Sequence, residues 1–118
     1  MRAVGAILHD VYHGAERICL LIAGTIDEDV PQGDSSHRAL IDQMSKPYPE
    51  KRTIPVIEFA TKEGIESYRG FRHVFRHTYG FELDWARMEP LLGEAHSTID
   101  AFRQDIQEFI AFLRMISN

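Results

Sequence analysis

The chain has one cysteine, no long hydrophobic run and no overall basic charge. A single cysteine excludes an internal disulfide, and Cys19 falls on the apolar side of its segment, so we expect a core thiol and not a nucleophile. No segment approaches the roughly 18 apolar residues that cross a membrane, and the N-terminal segment is too short and interrupted for a signal peptide. We therefore expect a cytoplasmic protein with no membrane partner.

Composition predicts a single globular domain over residues 1–118, because 44% of the residues are hydrophobic and 26% are charged. The net charge of -5 argues against binding nucleic acid by bulk attraction, and we expect no DNA partner. Residues 67–81, however, contain no Asp or Glu. We call the cationic residues of this stretch the basic segment; they are Arg69, Arg72, His73, Arg76 and His77.

Apolar residues recur at steps of three and four in two long stretches, which predicts a long amphipathic helix near each end of the chain. The first stretch runs from Val4 to Ile22. The second runs from Trp85 to Ile116, with Asp84 as its expected N-cap and with Pro90 and Gly93 as possible kinks.

Two shorter helices are predicted between the long ones. Asp34 or Ser35 caps the first of them, and residues 46–49, Lys-Pro-Tyr-Pro, end it. A Pro-rich loop follows, in which Val56–Phe59 forms an extended segment packed on the bundle. Thr61 then caps a helix that ends near Gly80. The predicted fold is all-α, an antiparallel four-helix bundle with its Pro-rich loop between the second and third helices.

The basic segment admits two interpretations from its periodicity. Arg72 occupies a position in the apolar frame of its helix, so its guanidinium emerges beside buried rings. It could extend past the core into solvent, with the other basic residues forming a solvated face. Alternatively, it binds an anion or a carboxylate.

Residues 72–79, RHVFRHTY, match the R-x4-H-x-Y motif and resemble the HepT-type toxins, which are ribonucleases of the HEPN superfamily and small all-α bundles. Three blocks carry the resemblance in the same order along the chain. They are residues 33–38 (GDSSHR), 68–77 (YRGFRHVFRH) and 82–85 (ELDW). The resemblance therefore extends from about the first helix to the last and favours the anion-binding interpretation.

The resemblance implies that Arg72 and His77 form a metal-independent ribonuclease site without any cofactor. We expect Arg69, His73 and Arg76 of the basic segment to support this site by binding RNA phosphates. The chemistry agrees, because attack by the RNA 2′-hydroxyl on the adjacent phosphate needs a proton-transferring group with a pKa near neutrality and a fixed cation. Histidine and arginine supply these functions. The substrate could be mRNA or a tRNA.

Tyr79 has two interpretations. It continues the apolar frame of its helix and could be a core ring whose hydroxyl is hydrogen-bonded. The resemblance instead implies that Tyr79 accepts AMP from a minimal nucleotidyltransferase antitoxin of the MntA type. An added nucleotide would block the basic groove by charge and by bulk.

The spacing of Arg72 and His77 constrains the site. Five residues of α-helix rotate by about 500°, so the two side chains point about 140° apart. Either the helix ends before His77, or a second chain completes the site. The second option agrees with the two-fold dimers of the resembled family, and we predict a homodimer with facing basic segments.

His73 and His77 form an i, i+4 pair that could bind zinc, but no third ligand is evident, so no metal site is predicted. We expect the other four histidines to be ordinary surface or capping residues; they are His9, His13, His37 and His96. The alternatives to a ribonuclease are a non-catalytic binding module for the nucleotidyltransferase and a structural bundle with an acidic partner.

Overall fold

The computed structural model describes the backbone of residues 2–77 and 81–117 and the side chains of residues 10–68 and 89–117. Within these ranges the chain is all-helical, as predicted. The four α-helices are α1 (Arg2–Ile22), α2 (Ser36–Met44), α3 (Phe59–His77) and α4 (Phe81–Ser117).

Contacts between the helices show their directions in the bundle. α1 packs on all three other helices, and α3 does the same. α3 runs antiparallel to α4, because Tyr68 contacts Leu91 and the start of α3 contacts Asp105. α1 and α2 point the same way, because the segment between them returns alongside α1. This connection places the first turn of α2 beside the middle of α1.

The core confirms the helical stripes but shifts the first of them by one residue. Among the described residues of α1 the fully buried side chains are Tyr12 and Cys19, whereas Ile18, which the repeat from Val4 to Ile22 places on the apolar face, is 41% exposed. The shift follows from packing, because α1 contacts three helices and buries a face wider than one apolar row. Cys19 is buried, as predicted.

Both predicted N-caps of the later helices are wrong. α3 begins at Phe59, so Thr61 lies inside its first turn. The backbone N–H of Glu58 is instead bound by the Asp105 carboxylate of α4, at 2.9 Å. α4 begins at Phe81, so Asp84 also lies inside its helix, which continues through Pro90 without a break. A cap supplied from a distant segment leaves no local sequence pattern.

The structure agrees with the predicted ends of α2, and Val56 and Ile57 of the following loop pack on the bundle as predicted. Ser35 is at the N-cap of α2, although its side chain makes no capping hydrogen bond, and the helix ends at Met44, before the Lys-Pro-Tyr-Pro segment. Val56 and Ile57 are buried, and both of their backbone N–H groups donate to the Met44 carbonyl. Phe59, predicted to be extended, is already helical. The expected end of α3 near Gly80 lies outside the described residues.

A buried ion pair joins the end of α1 to the Pro-rich loop. α1 continues into one π-helical turn, Ala23–Asp27. The Asp27 carboxylate receives two hydrogen bonds from the Arg52 guanidinium, at 2.8 and 2.9 Å, and a third from Gln43 of α2. The side chains of Asp27 and Arg52 are 0% and 1% exposed. This network fixes α1, α2 and the loop relative to one another.

Candidate functional site

The basic segment lies in the second half of α3. The described backbone places Arg69, Arg72, His73, Arg76 and His77 on this one helix, and the side chains of all five lie outside the described residues. Tyr79 lies outside the described backbone as well. The structure therefore gives the order of the basic residues along a helix.

The described backbone of α3 contradicts the first option for completing the site, because the helix includes His77. On a continuous helix, positions 72 and 77 lie about 140° apart around the axis. One copy of α3 therefore presents these two positions on different faces.

Tyr68 anchors α3 one turn before Arg72. Its ring is 1% exposed, and its hydroxyl donates a hydrogen bond of 2.7 Å to the Leu91 carbonyl of α4. Burial raises the pKa of Tyr68 above its usual value of 10.0. The side chain stays neutral near pH 7 and fixes where the basic segment begins.

A polar groove of about 540 Å³ lies between α2 and the first half of α3. Lys62 of α3 binds the Asp42 carboxylate of α2 at 2.9 Å, and Lys46 binds the same carboxylate at 3.0 Å. The hydrogen bond from Lys62, followed by that from Lys46, lowers the pKa of Asp42, and the same pairing raises the pKa of Lys62. Ser35, Arg38, Ala39, Glu63 and Glu66 line the rest of this groove.

His37 makes a contact that the sequence analysis missed. Its Nδ1 is hydrogen-bonded to the Glu16 carboxylate of α1, and its ring centroid lies 6.5 Å from that of Tyr12. The Glu16 side chain is 9% exposed, so His37 is more than an ordinary surface or capping residue. A signal was available, because Glu16 interrupts the buried stripe of Tyr12 and Cys19.

Cys19 has the properties of a core thiol. Burial, and then the charge of Glu16, raises the pKa of the thiol to about 12, although Arg52 acts in the opposite direction. A thiol with this pKa is almost entirely protonated near neutral pH, and the protonated form is a poor nucleophile. Cys19 therefore takes no part in the chemistry of the site.

Three carboxylates approach one another where α3 begins. Oxygen atoms of Glu58, Asp105 and Glu108 lie within 4.8 Å of one another. Asp105 already accepts the backbone N–H of Glu58, which explains its burial. Through Asp105 the cluster caps the start of α3, and the basic segment lies at the opposite end of this helix.

An apolar groove lies between α1 and α4 in the described part of the chain. It has a volume of about 370 Å³, and Ile18, Ile65, Ile99, Phe102 and Ile106 contribute to its walls. Ile18 and Ile99 are 41% and 47% exposed. The walls of this groove are mostly apolar, whereas an RNA phosphate requires cations and hydrogen-bond donors, so the basic segment remains the candidate site.

Comparison with known proteins gives the family of the chain. The family model of the HepT-like protein matches residues 3–113, which includes all four helices except the first residue of α1 and the last residues of α4. The chain belongs to the HepT-like family. No curated protein and no solved structure matches this HepT-like chain. None of its described helices has an apolar stretch long enough to span a membrane.

Proposed function

We propose that this HepT-like protein is the toxin of a type VII toxin–antitoxin system and a metal-independent endoribonuclease. The observation that carries the proposal is the family match over residues 3–113 of a chain that holds an intact R-x4-H-x-Y motif, of which Arg72 and His77 lie on one helix. Arg72 and His77 are the proposed catalytic residues. Arg69, His73 and Arg76 extend the cationic surface for RNA phosphates.

The proposed reaction is an internal transesterification. The 2′-oxygen of the RNA attacks the adjacent phosphorus, and the bond from phosphorus to the 5′-oxygen breaks. His77 transfers a proton during this step, and Arg72 holds the charge that develops on the phosphate. The products carry a 2′,3′-cyclic phosphate and a 5′-hydroxyl, so no water is consumed.

A homodimer supplies the geometry that one α3 does not. Because α3 continues through His77, Arg72 of one protomer is better placed to meet His77 of its partner across a two-fold axis. Two facing basic segments also double the positive charge along the cleft, and this attracts RNA to a protein with a net charge of -5.

Tyr79 is the proposed site of neutralisation by the antitoxin. An MntA-type nucleotidyltransferase would transfer AMP from ATP to the Tyr79 hydroxyl and release pyrophosphate. Incubation with the cognate antitoxin and ATP should label the parent protein and leave Tyr79→Phe unlabelled. Equal labelling of both proteins would reject this residue as the acceptor.

Induced expression in bacteria tests the proposed ribonuclease. We expect the parent to arrest growth and to degrade cellular RNA, and we expect Arg72→Ala and His77→Ala to do neither. Arg103→Ala and His96→Ala are matched controls, because both residues form exposed ion pairs with Asp100 on α4. The controls should remain as toxic as the parent.

The outcome separates the function classes. Arrest and RNA loss that depend on Arg72 and His77 support a nuclease that uses this motif. Continued growth and intact RNA with every variant, at equal protein levels, would favour a non-catalytic partner of the nucleotidyltransferase. Toxicity that persists in both motif variants would contradict the proposed site.

A further inference from the structure

We infer that the apolar groove between α1 and α4 is a docking surface for a second copy of this chain. In the inferred pair, each α1 lies antiparallel to the partner's α1 across a two-fold axis, with Gly14 at the centre. The observation that carries the inference is a pattern of charged and apolar residues that becomes complementary to itself when turned by 180°. The surface shares no residue with the basic segment, so the inference does not depend on RNA cleavage.

α1 and α4 run in the same direction along the groove. α1 is parallel to α2, and α3 is antiparallel to α4. α2 and α3 are antiparallel, because Asp42 near the end of α2 binds Lys62, whereas Ser35 at its start shares a groove with Glu66. α1 and α4 are therefore both antiparallel to α3 and parallel to each other.

The groove has a midpoint on each of its two helices. Its lining runs from residue 10 to residue 18 on α1 and from residue 98 to residue 107 on α4. Because the helices are parallel, Gly14 on α1 is level with Phe102 and Arg103 on α4. A two-fold axis through this midpoint, at a right angle to the helices, turns each helix antiparallel to its copy in the partner.

The apolar residues of the groove lie evenly about this midpoint. Val11 and Ile18 lie three and four residues from Gly14, and Ile99 and Ile106 lie on either side of the α4 midpoint. The two-fold axis brings Val11 near the partner's Ile18 and Ile99 near the partner's Ile106. Ile18 and Ile99 are 41% and 47% exposed, so this contact would remove apolar surface from water.

Two charged residues of α1 select the orientation of the second copy. Asp10 and Arg17 are exposed, and they lie on the same side of α1 because seven residues make nearly two turns. Neither forms an ion pair with another described residue. In the antiparallel pair each Asp10 lies beside the partner's Arg17, whereas a parallel pair brings residues of like charge to the same level. Charge therefore favours an antiparallel second copy as the occupant.

Gly14 lets the two copies of α1 approach closely. It is exposed at the centre of the surface, and a Cβ added there would meet no neighbouring atom within 4 Å. Packed helix axes normally lie about 8–10 Å apart, at a distance set by the side chains at the contact. Because Gly14 has no side chain, the two axes can reach the lower end of that range, which brings the charged pairs within reach of each other.

The remaining residues of the surface are compatible with a second copy. Arg103 lies close to the partner's Arg103 in the inferred pair, but each already binds an Asp100 carboxylate of its own chain at 2.9 Å. Leu21 is 68% exposed and continues the apolar side of α1 by one turn beyond Ile18. The result is an apolar centre with charged pairs at its edge, as in other protein interfaces.

Charge reversal tests the antiparallel pairing. Asp10→Arg and Arg17→Asp each bring like charges together twice, so we expect the self-association constant of either variant to fall by about tenfold. In an equal mixture of the two variants, opposite charges face each other at both positions, and association should return to about the level of the parent. Sedimentation velocity over a concentration series provides the measurement. Asp34→Arg, an exposed position outside the groove with the same change of charge, is the matched control.

A cysteine at the centre tests the position of the axis. Two copies of Gly14→Cys that meet at a two-fold axis bring their Cα atoms within the roughly 7 Å that a disulfide allows, so diamide should link this variant into covalent dimers. Gly93→Cys is the matched control, because Gly93 is also exposed on a helix with open space around it and lies outside the groove. Cys19 of the parent is buried and should form no link.

An added charge on the apolar side of α1 tests the contribution of apolar contact. Leu21→Glu should weaken self-association by about tenfold or more, because the carboxylate would have to leave water at the contact. Met115→Glu on α4 is the matched control, because Met115 is 69% exposed and lies outside the groove. Melting temperatures of all variants report any loss of fold.

The outcomes separate this inference from the proposed function. Links in Gly14→Cys no more frequent than in Gly93→Cys would overturn the inference, and the groove would then fit an apolar segment of another protein. Association that stays weak in the mixture of charge variants would overturn the antiparallel pairing. RNA cleavage by a parent that fails both tests would leave the ribonuclease intact, and self-association of a parent that cleaves no RNA would leave this inference intact.

Discussion

Arg52 holds three segments together from one buried position. All five of its N–H donors are used: two bind Asp27, and the others bind the backbone carbonyls of Gln43, Lys46 and Ile54. A guanidinium out of water is stable only when its donors are satisfied in this way. Because the same network sets the position of α2 against α1, it also brings His37 opposite Glu16.

Loss of one partner of this ion pair should be costly. Arg52→Met leaves the Asp27 carboxylate buried without its cation, and we expect the free energy of unfolding to fall by about 3–5 kcal/mol. Urea unfolding followed by circular dichroism measures the change. Arg103→Met, in an exposed pair with Asp100, is the matched control and should change stability by less than about 0.5 kcal/mol.

A double variant checks the reason for that loss. Asp27→Leu combined with Arg52→Met removes both charges and should recover part of the stability lost by Arg52→Met alone. A single variant as stable as the parent would show that the buried pair contributes nothing to the fold.

At the scale of helices, Tyr68 links α3 to α4 just before the basic segment. Tyr68→Phe removes its hydrogen bond and leaves the Leu91 carbonyl without this donor, so we expect a loss of about 1–2 kcal/mol. Thermal unfolding provides the measurement. Tyr48→Phe removes a hydroxyl that donates to Asp29 on the surface, and it should cost less. Equal losses of stability in both variants would mean that burial of the Tyr68 hydroxyl does not increase the contribution of its hydrogen bond.

The sequence predicts the positions of the helices better than their ends or the side-chain contacts between them. Repeats of three and four identify the two long helices, because each must bury one face, and capping and stop signals identify the two shorter ones. The start of α3 escapes prediction because Asp105, far along the chain, binds the backbone there. The pairs of Asp27 with Arg52 and of Glu16 with His37 join residues more than twenty positions apart. Such pairs depend on the fold, and local patterns do not encode them.

The candidate site follows the same division. The order of Arg72 and His77 on a helix is a local property, and the motif predicts it together with the family. His37 lies in a segment that carries the family resemblance, yet its position relative to the apolar residues is that of a surface residue. Only the approach of α2 to α1 reveals its carboxylate partner.

At the scale of the whole molecule, the chain is elongated, and its apolar and polar grooves lie between different pairs of helices. The described chain measures 53 × 29 × 19 Å, and its apolar groove lies between α1 and α4 while the polar groove lies between α2 and α3. The two grooves thus present surfaces of different chemistry, one mostly apolar and the other lined by charged residues.

Mixing two inactive proteins tests whether the site is shared between protomers. Arg72→Ala and His77→Ala each destroy one half of every site in their own homodimers. If each site takes Arg72 from one protomer and His77 from its partner, a mixed dimer holds one site with both residues. Random exchange makes half of the dimers mixed, so the mixture should regain about a quarter of the parent activity. Sites contained within one protomer would regain none, and light scattering that found only monomers in an active parent would contradict the shared cleft directly.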